Sequence, residues 1–433
     1  MTRQKLLVLT QTLPAMGGQG TAMRLGNMLE ALARHFDITL VCVSVDRPTH
    51  PEVLAQHWRD LCARSIFFNV ADQAEPFRQH VRSTGRRLLN PAPKLLSTWP
   101  VDYVMHRLSQ FRGERFDQVL VSRIRLMPLW RAMQAQLGVS ATRRILDLDD
   151  IESRSQALQV KMLGVPHLGR MGFVLEWLEA KKLALEEARA FREMDRVLLC
   201  STEDRKLLGQ RFKLDQIAVI PNTIRVPSQL PLPAMNGALQ LLFVGTLNYA
   251  PNENAVKWLV EEIMPAIRAS VGQDMAELTV IGRGPTAELK AMAATGAFRL
   301  HGDVPDVAPF YEACHAVMVP IRAGGGTRIK ILEAFGYGRV VISTTLGAEG
   351  IMADDGRELM IANSAAEFAG AAQRLLQEVG LAQQLIANGR RTVTERYSAA
   401  ACEQAVDAVF VGQDSAGAGP RPLDARTTAK QTT

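Results

Sequence analysis

No apolar run in this 433-residue chain approaches the roughly 18 residues that a helix needs to cross a membrane. The opening MTRQKLLVLTQTLP holds too short an apolar stretch for a signal peptide and is expected to form a first strand. Cysteine is sparse: Cys42, Cys62, Cys200, Cys314 and Cys402 are odd in number, and no two form a CxxC pair. That argues against a zinc site or a disulfide frame and points to a reducing, cytoplasmic setting. The histidines show neither HExxH nor other metal-ligand spacing. No G-x-S-x-G marks a hydrolase elbow, and no GK[ST] completes a P-loop.

What the chain has is apolar content, 47% of its residues, and a net charge of +6. Its length exceeds one ordinary core, so two domains are expected. The charge is uneven. Residues 78–115 hold Arg78, Arg82, Arg86, Arg87, Lys94, Arg107, Arg112 and Arg115 against Asp102 and Glu114, interleaved with Leu88, Leu89, Leu95, Leu96, Trp99 and Tyr103. Such a segment fits contact with an anionic membrane surface; it fits an ordinary solvated loop and helix equally well. No nucleic-acid-binding motif accompanies the charge, so nucleic acid is not an expected partner.

Apolar, β-rich runs alternate with helical patterns throughout. KLLVLTQ, ITLVCVSV, SIFFNV, DQVLVS, RRILDLD, RVLLCS and QIAVIPN read as strands in the first half, and LQLLFVG, ELTVIG, AVMVP and VVIST in the second. That alternation predicts an α/β fold of parallel sheets with helices on both faces. RVPSQLPLPAMNG, residues 225–237, follows neither period and reads as a linker between domains at 1–224 and 238–395. Leu168–Met194 reads as a long charged packing helix, and Ala399–Phe410 as the last helix, within a closing segment 396–412. The tail 413–433 has almost no core-forming residues and is expected to be disordered. Ligands of such sheets bind beyond the carboxyl ends of the strands, so the cleft between two domains is the expected site.

Glycine turns into helices mark that cleft. GGGTRIKILEAFGYGRVVIST, residues 324–344, opens on three glycines. Thr327 follows at a helix N-cap position, then Arg328 and Lys330 in the first turn and Glu333 roughly two turns in. Cations there oppose the helix dipole, whereas unpaired backbone N–H groups attract anions, so a bound anion would offset the cost. Gly17, Gly18 and Gly20 repeat the device after the first strand, although alone they fit a plain tight turn as well. Two such turns facing one cleft suit a diphosphate. Gly245, Thr246 and Asn248 follow a second-domain strand, as do Gly282 and Gly284, and the backbone from His301 to Val304 is placed to line a base pocket. LDLDDIESR puts Asp147, Asp149 and Asp150 at a first-domain strand end. An Asp-x-Asp can hold a metal that bridges phosphates, but an acceptor-binding or capping role is preferred and no metal is expected.

The second half resembles the retaining GT-B glycosyltransferases of family 4, or group 1. The resemblance is carried by FVGTLNYAPNENAV, ELTVIGRGP, RLHGDVPDVAPFYEACHAVMVP, GGGTRIKILEAFGYGRVVIST and GAEGI, in the family's order, over residues 240–352. The first half is similar in layout alone, through its glycine turn and VIPNTI, and RYSAAACEQAVDAVF resembles the family's final helix, which crosses back to the first domain. The resemblance implies GT-B architecture, with two doubly wound, Rossmann-like domains facing a central cleft. It also implies transfer of a sugar from a nucleotide diphosphate sugar, UDP- or GDP-linked, to a saccharide or lipid-linked acceptor, with retention and without a cofactor. Polysaccharide or glycolipid biosynthesis in the cytoplasm, peripheral to the membrane, would be the setting.

Residue by residue, the family's second glutamate matches Glu333, which would bind the ribose, while the first falls on Gly325, eight positions earlier. The family's phosphate-binding arginine and lysine fall on Thr246 and near Pro251, so Arg328 and Lys330 are the expected replacements. These two and Glu333 are the catalytic candidates. Gly17, Gly18, Gly245, Thr246, Gly282, Val304, Gly325, Gly326 and Thr327 complete the donor site, with Arg123, Asp149 and Asp150 on the acceptor side. No residue clearly matches the family's first-domain histidine; Ser122 or Arg123 ends that strand. A nucleotide-sugar epimerase of the same fold and a non-catalytic nucleotide-sugar-binding or scaffold protein remain as alternatives.

Overall fold

The computed structural model describes residues 3–18, 20–44, 56–70, 90–97, 99–233, 237–325 and 328–412. The expectation of a disordered tail lies outside them, as do Gly326, Thr327 and residues 78–89 of the basic segment. One sheet holds β1 (Gln4–Thr10), β2 (Phe36–Ser44), β3 (Arg64–Asn69), β4 (Arg115–Ser122), β5 (Ser140–Asp149), β6 (Arg196–Leu199) and β7 (Ile217–Val219), in the order β3-β2-β1-β4-β5-β6-β7. The other holds β8 (Leu239–Val244), β9 (Ala276–Gly282), β10 (Arg299–Gly302), β11 (Ala316–Val319), β12 (Val340–Ser343) and β13 (Met360–Ile361), ordered β10-β9-β8-β11-β12-β13.

Neighbouring strands run parallel, in registers such as Leu6↔Ile38 and Val317↔Val341. Their composition explains why. Leu6 to Leu9, Val119 to Val121 and Ala316 to Val319 are wholly buried, and strands apolar on both faces need helices on both sides. Each strand read from the sequence is present. β10 and β13 finish the second sheet with only four and two residues, and short edge strands resist pairing with other chains.

In each sheet the strand order reverses beside the first strand, between β1 and β4 and between β8 and β11. Loops leaving such strands are where doubly wound folds bind ligands. Helix α1 (Gly20–Leu32) follows β1, and α2 (Glu152–Glu193) follows β5. In the second domain α3 (Ala250–Trp258) follows β8 and α4 (Ile329–Tyr337) follows β11. α2 begins 16 residues before the start expected at Leu168, because left-handed Gly164 and Gly169, with Pro166 between them, interrupt it and erase the helical period upstream.

The last helix, α5 (Ala399–Val406), continues as a π turn over Asp407–Val411 and packs on the first domain. Cys402, Val406 and Phe410 lie in the core with Leu6 and Leu29, and Phe410 meets Phe36 edge-on at 6.3 Å. Residues 220–233, between the sheets, form neither helix nor strand. Wholly buried Arg339 holds them to the second domain, donating to the carbonyls of Leu230 at 3.1 Å and Pro231 at 2.8 Å as well as to Tyr311 at 2.5 Å. Carbonyl dipoles thus satisfy this guanidinium.

Candidate active site

The loop leaving β11 passes Gly324 and Gly325 before α4. Arg328 takes the N-cap position expected of Thr327, because the chain is still extended there and the helix begins one residue later. Two residues on, Lys330 reaches back under β8. Its Nζ donates to Asn252 Oδ1 at 3.1 Å and lies 4.3 Å from the centre of the Phe243 ring. It forms no ion pair among the described residues. Burial, with the Arg328 charge beside it, pulls the ammonium down to about 7 against the opposing pull of Glu333. Arg328 donates through Nη1 to the Gly325 carbonyl, and its buried Nε has no partner among the described residues. Glu333 accepts at Oε2 from the Tyr311 hydroxyl at 3.1 Å; burial raises its carboxyl to about 7, against that bond and Lys330. Among the described residues, this helix and its N-cap therefore carry two basic side chains without carboxylate partners and a carboxyl with an oxygen that accepts no hydrogen bond.

Glycines shape the walls. A Cβ on Gly282 would meet the Gly245 carbonyl oxygen at 1.6 Å, and its φ of +155° suits glycine alone, so the β8 and β9 strand ends touch only because residue 282 is glycine. A Cβ on Gly245 would fall 3.0 Å from Lys330 Nζ. The Thr246 carbonyl accepts from Asn252 Nδ2 at 2.9 Å. Val304 lies partly buried against the second-domain core, just past Asp303, whose N–H donates to the Gly282 carbonyl at 3.0 Å.

The first domain presents its own glycine turn. A Cβ on Gly20 would lie 3.2 Å from Ile329 Cγ1, so α1 and α4 start against each other, while the space in front of Gly17 and Gly18 is open to 4 Å. The acceptor-side candidates divide. Arg123 and Asp149 are turned inward: Arg123 Nη1 pairs with Asp149 Oδ2 at 2.8 Å, and Asn222 Nδ2 donates to Asp149 Oδ1 at 3.1 Å. Both adopt positive φ, 77° and 60°, a strained backbone that the pairing holds in place. Asp147 is bound by buried Arg24 at 2.7 Å. These pairs engage the Asp-x-Asp, and no group of three or more potential metal ligands occurs among the described residues. Asp150 instead faces Gly325. Nearby, Arg154 pairs with Glu349 at 2.7 Å, and Gln159 donates to the Tyr249 hydroxyl at 3.3 Å, joining the domains.

Asn252, Tyr249 and Tyr311 escaped the sequence reading. Asn252 lies in a proline-asparagine turn whose position was legible and whose target was not; no spacing links Tyr311 to Glu333. In the described part of the basic segment Leu96 and Trp99 are core residues, with Trp99 Nε1 donating to the Arg125 carbonyl at 2.6 Å. Exposed apolar side chains cluster instead on α2, at Val165, Met171, Val174, Trp177 and Leu185. No helix among the described residues is long and apolar enough to cross a membrane.

Comparison with solved structures settles the architecture. HepE of Anabaena, solved with UDP and glucose, superposes with a TM-score of 0.62 at 12% identity, covering 95% of this chain and 100% of that one. Sucrose-phosphate synthase of Thermosynechococcus elongatus gives 0.63 at 14%, covering 93% and 97%. A variant of S. aureus TarM, solved with UDP and α-GlcNAc-glycerol among its ligands, gives 0.60 at 11%, covering 93% and 98%. The fold is GT-B. Residues 238–378 match the family model of glycosyl transferases group 1, so this segment of the chain is similar to that family. No curated protein matches the chain by sequence.

Lys330 makes the site's electrostatics testable. Its ammonium titrates near 7 in the folded protein and near 10.5 unfolded, so the unfolded state binds the extra proton between those values and stability rises with pH across that window. Lys330→Met is expected to be more stable than wild type by about 1–3 kcal/mol at pH 6.5, with the gap narrowing toward pH 10. Urea titrations at both pH values check it; a gap that is absent, or that widens with pH, contradicts the placement of this charge.

Proposed function

We propose that the chain transfers a sugar from a UDP- or GDP-linked donor to a saccharide or lipid-linked acceptor with retention at the anomeric carbon, in polysaccharide or glycolipid synthesis. The observation that carries this reading is the Lys330–Arg328 pair: two cations without carboxylate partners among the described residues, at a helix start, at the reversal point of the second sheet. A diphosphate is the anion whose size and charge match them and the helix end together. Its departure from the sugar leaves negative charge between these groups, and stabilising that charge is the main electrostatic task of the reaction. Glu333, with Oε2 held by Tyr311, offers Oε1 to a ribose hydroxyl. Attack by the acceptor hydroxyl on the face the diphosphate leaves accounts for retention without a covalent enzyme intermediate. HepE, solved with UDP and glucose, and TarM, solved with UDP and α-GlcNAc-glycerol, lend weight to a UDP-sugar donor and a saccharide acceptor.

The membrane reading moves with the exposed apolar residues. Val165, Met171, Val174, Trp177 and Leu185 on α2, beside Lys161, Arg170 and Lys181, support docking on an anionic bilayer more than the described part of 78–115 does.

Arg328→Ala combined with Lys330→Ala is expected to weaken the tighter of UDP and GDP by at least about 30-fold, since each charge-assisted contact is worth about 1.5–3 kcal/mol. Calorimetry on wild type and the double variant checks it. Unchanged affinity would sink the phosphate assignment. Turnover of the donor alone to an epimer would replace transferase by epimerase.

A further inference from the structure

A side chain at position 325 would have to push aside two side chains of the other domain. A Cβ there would meet Asp150 Oδ1 at 2.2 Å and Ser155 Oγ at 2.4 Å. Asp150 differs from its neighbours on the same strand end. Asp147 and Asp149 are each bound by an arginine, whereas Asp150 has no ion-pair partner among the described residues. Its Oδ2 accepts from Ser155 Oγ at 2.6 Å, and Oδ1, the atom turned toward Gly325, has no donor among the described residues. The groups around it are Arg123, Asp149 and Glu152 of its own domain, with Tyr249 and Arg328 on the facing side. An acceptor oxygen in such a place is left open for a hydroxyl.

The order of groups along the second domain says which hydroxyl. On the nucleotide-sugar reading Lys330 and Arg328 take the diphosphate, and Arg328 is bonded to the Gly325 carbonyl, so the sugar attached to that diphosphate comes to lie beside Gly325 and Asp150. We propose that Asp150 is a donor-sugar-reading residue: its Oδ1, which packs beside Gly325, accepts a hydrogen bond from a hydroxyl of the bound sugar, so that the first domain contributes a carboxylate to a site otherwise built on the second. This rests on the nucleotide-sugar reading given above. The sugar then bridges the two domains, and its recognition requires the closed arrangement that the Arg154–Glu349 pair spans. A nucleoside diphosphate without the sugar makes no use of Asp150.

The test compares UDP with UDP-glucose, and GDP with GDP-mannose, by calorimetry on the full chain and on Asp150→Asn. Loss of a hydrogen bond to a charged acceptor is expected to weaken the sugar nucleotide about 10-fold or more and to leave the matching nucleoside diphosphate within about 2-fold. Gly325→Ala, which displaces the carboxyl without removing it, should show the same selective loss. Melting curves establish that both variants fold. Equal affinity of Asp150→Asn and wild type for the sugar nucleotide overturns the proposal. A parallel loss of sugar nucleotide and nucleoside diphosphate also overturns it, because that is the signature of a merely structural carboxyl. Failure of wild type to bind any of the four ligands instead removes the nucleotide-sugar reading on which the proposal stands.

Discussion

Lys330 places an ammonium, drawn down to about 7, deep in the cleft with, among the described residues, only an amide oxygen and an aromatic face to hold it. A protein built for stability alone would place a carboxylate there or remove the lysine, because burial of an unpaired ammonium disfavours its charged form. The surroundings show how the charge is kept. Glycine at 245 lets the ammonium approach the strand end, glycine at 282 lets the Gly245 carbonyl pack against β9, and Tyr311 engages one oxygen of Glu333, whose charge favours the ammonium. The cores of the two sheets supply the stability that offsets this local cost. A site with charge in waiting is pre-organised for an anion, since little rearrangement follows when the ligand arrives.

Topology places that charge where a second domain can complete the site. Both sheets reverse order beside their first strand, and both send a glycine turn into a helix at that point. The consequence is an encounter of α1 with α4 at Gly20 and Ile329, with the open arc of Gly17 and Gly18 beside it. α5 returning to the first domain, and Arg339 clasping residues 230 and 231, limit how far the halves can part. A cleft bounded in this way can close on a ligand that touches both sides, and Asp150 against Gly325 is one such point of contact.

The sheets were legible because strands buried on both faces are continuous apolar runs; β13, with two residues, has too little sequence to carry a pattern. The start of α2 was hidden by Gly164, Pro166 and Gly169, which break the helical period without ending the element. The glycine loop, Lys330 and Glu333 stand out in the sequence because two cations at a helix start are unfavourable without a reason, and the fold sets Lys330 and Glu333 on one helix at the sheet's reversal point. Arg123 and Asp149 looked available for an acceptor, yet each is held by a partner that sequence distance conceals. Asp150 was one of three carboxylates in LDLDDIESR until the fold showed which of them faces the other domain. Asn252 and Tyr311 stand 78 and 22 residues from the side chains they orient, and no local pattern encodes such pairings.

The charge on Lys330 can be read directly by titrating UDP into the protein at pH 7.5 in two buffers of different ionisation enthalpy. An ammonium that is partly neutral when free must take up a proton as the diphosphate docks against it. Wild type is therefore predicted to bind with proton uptake that Lys330→Met loses, the difference approaching one proton per site at higher pH. Tight UDP binding with the same proton balance in both proteins would contradict the central claim that Lys330 is the cation awaiting the donor's diphosphate.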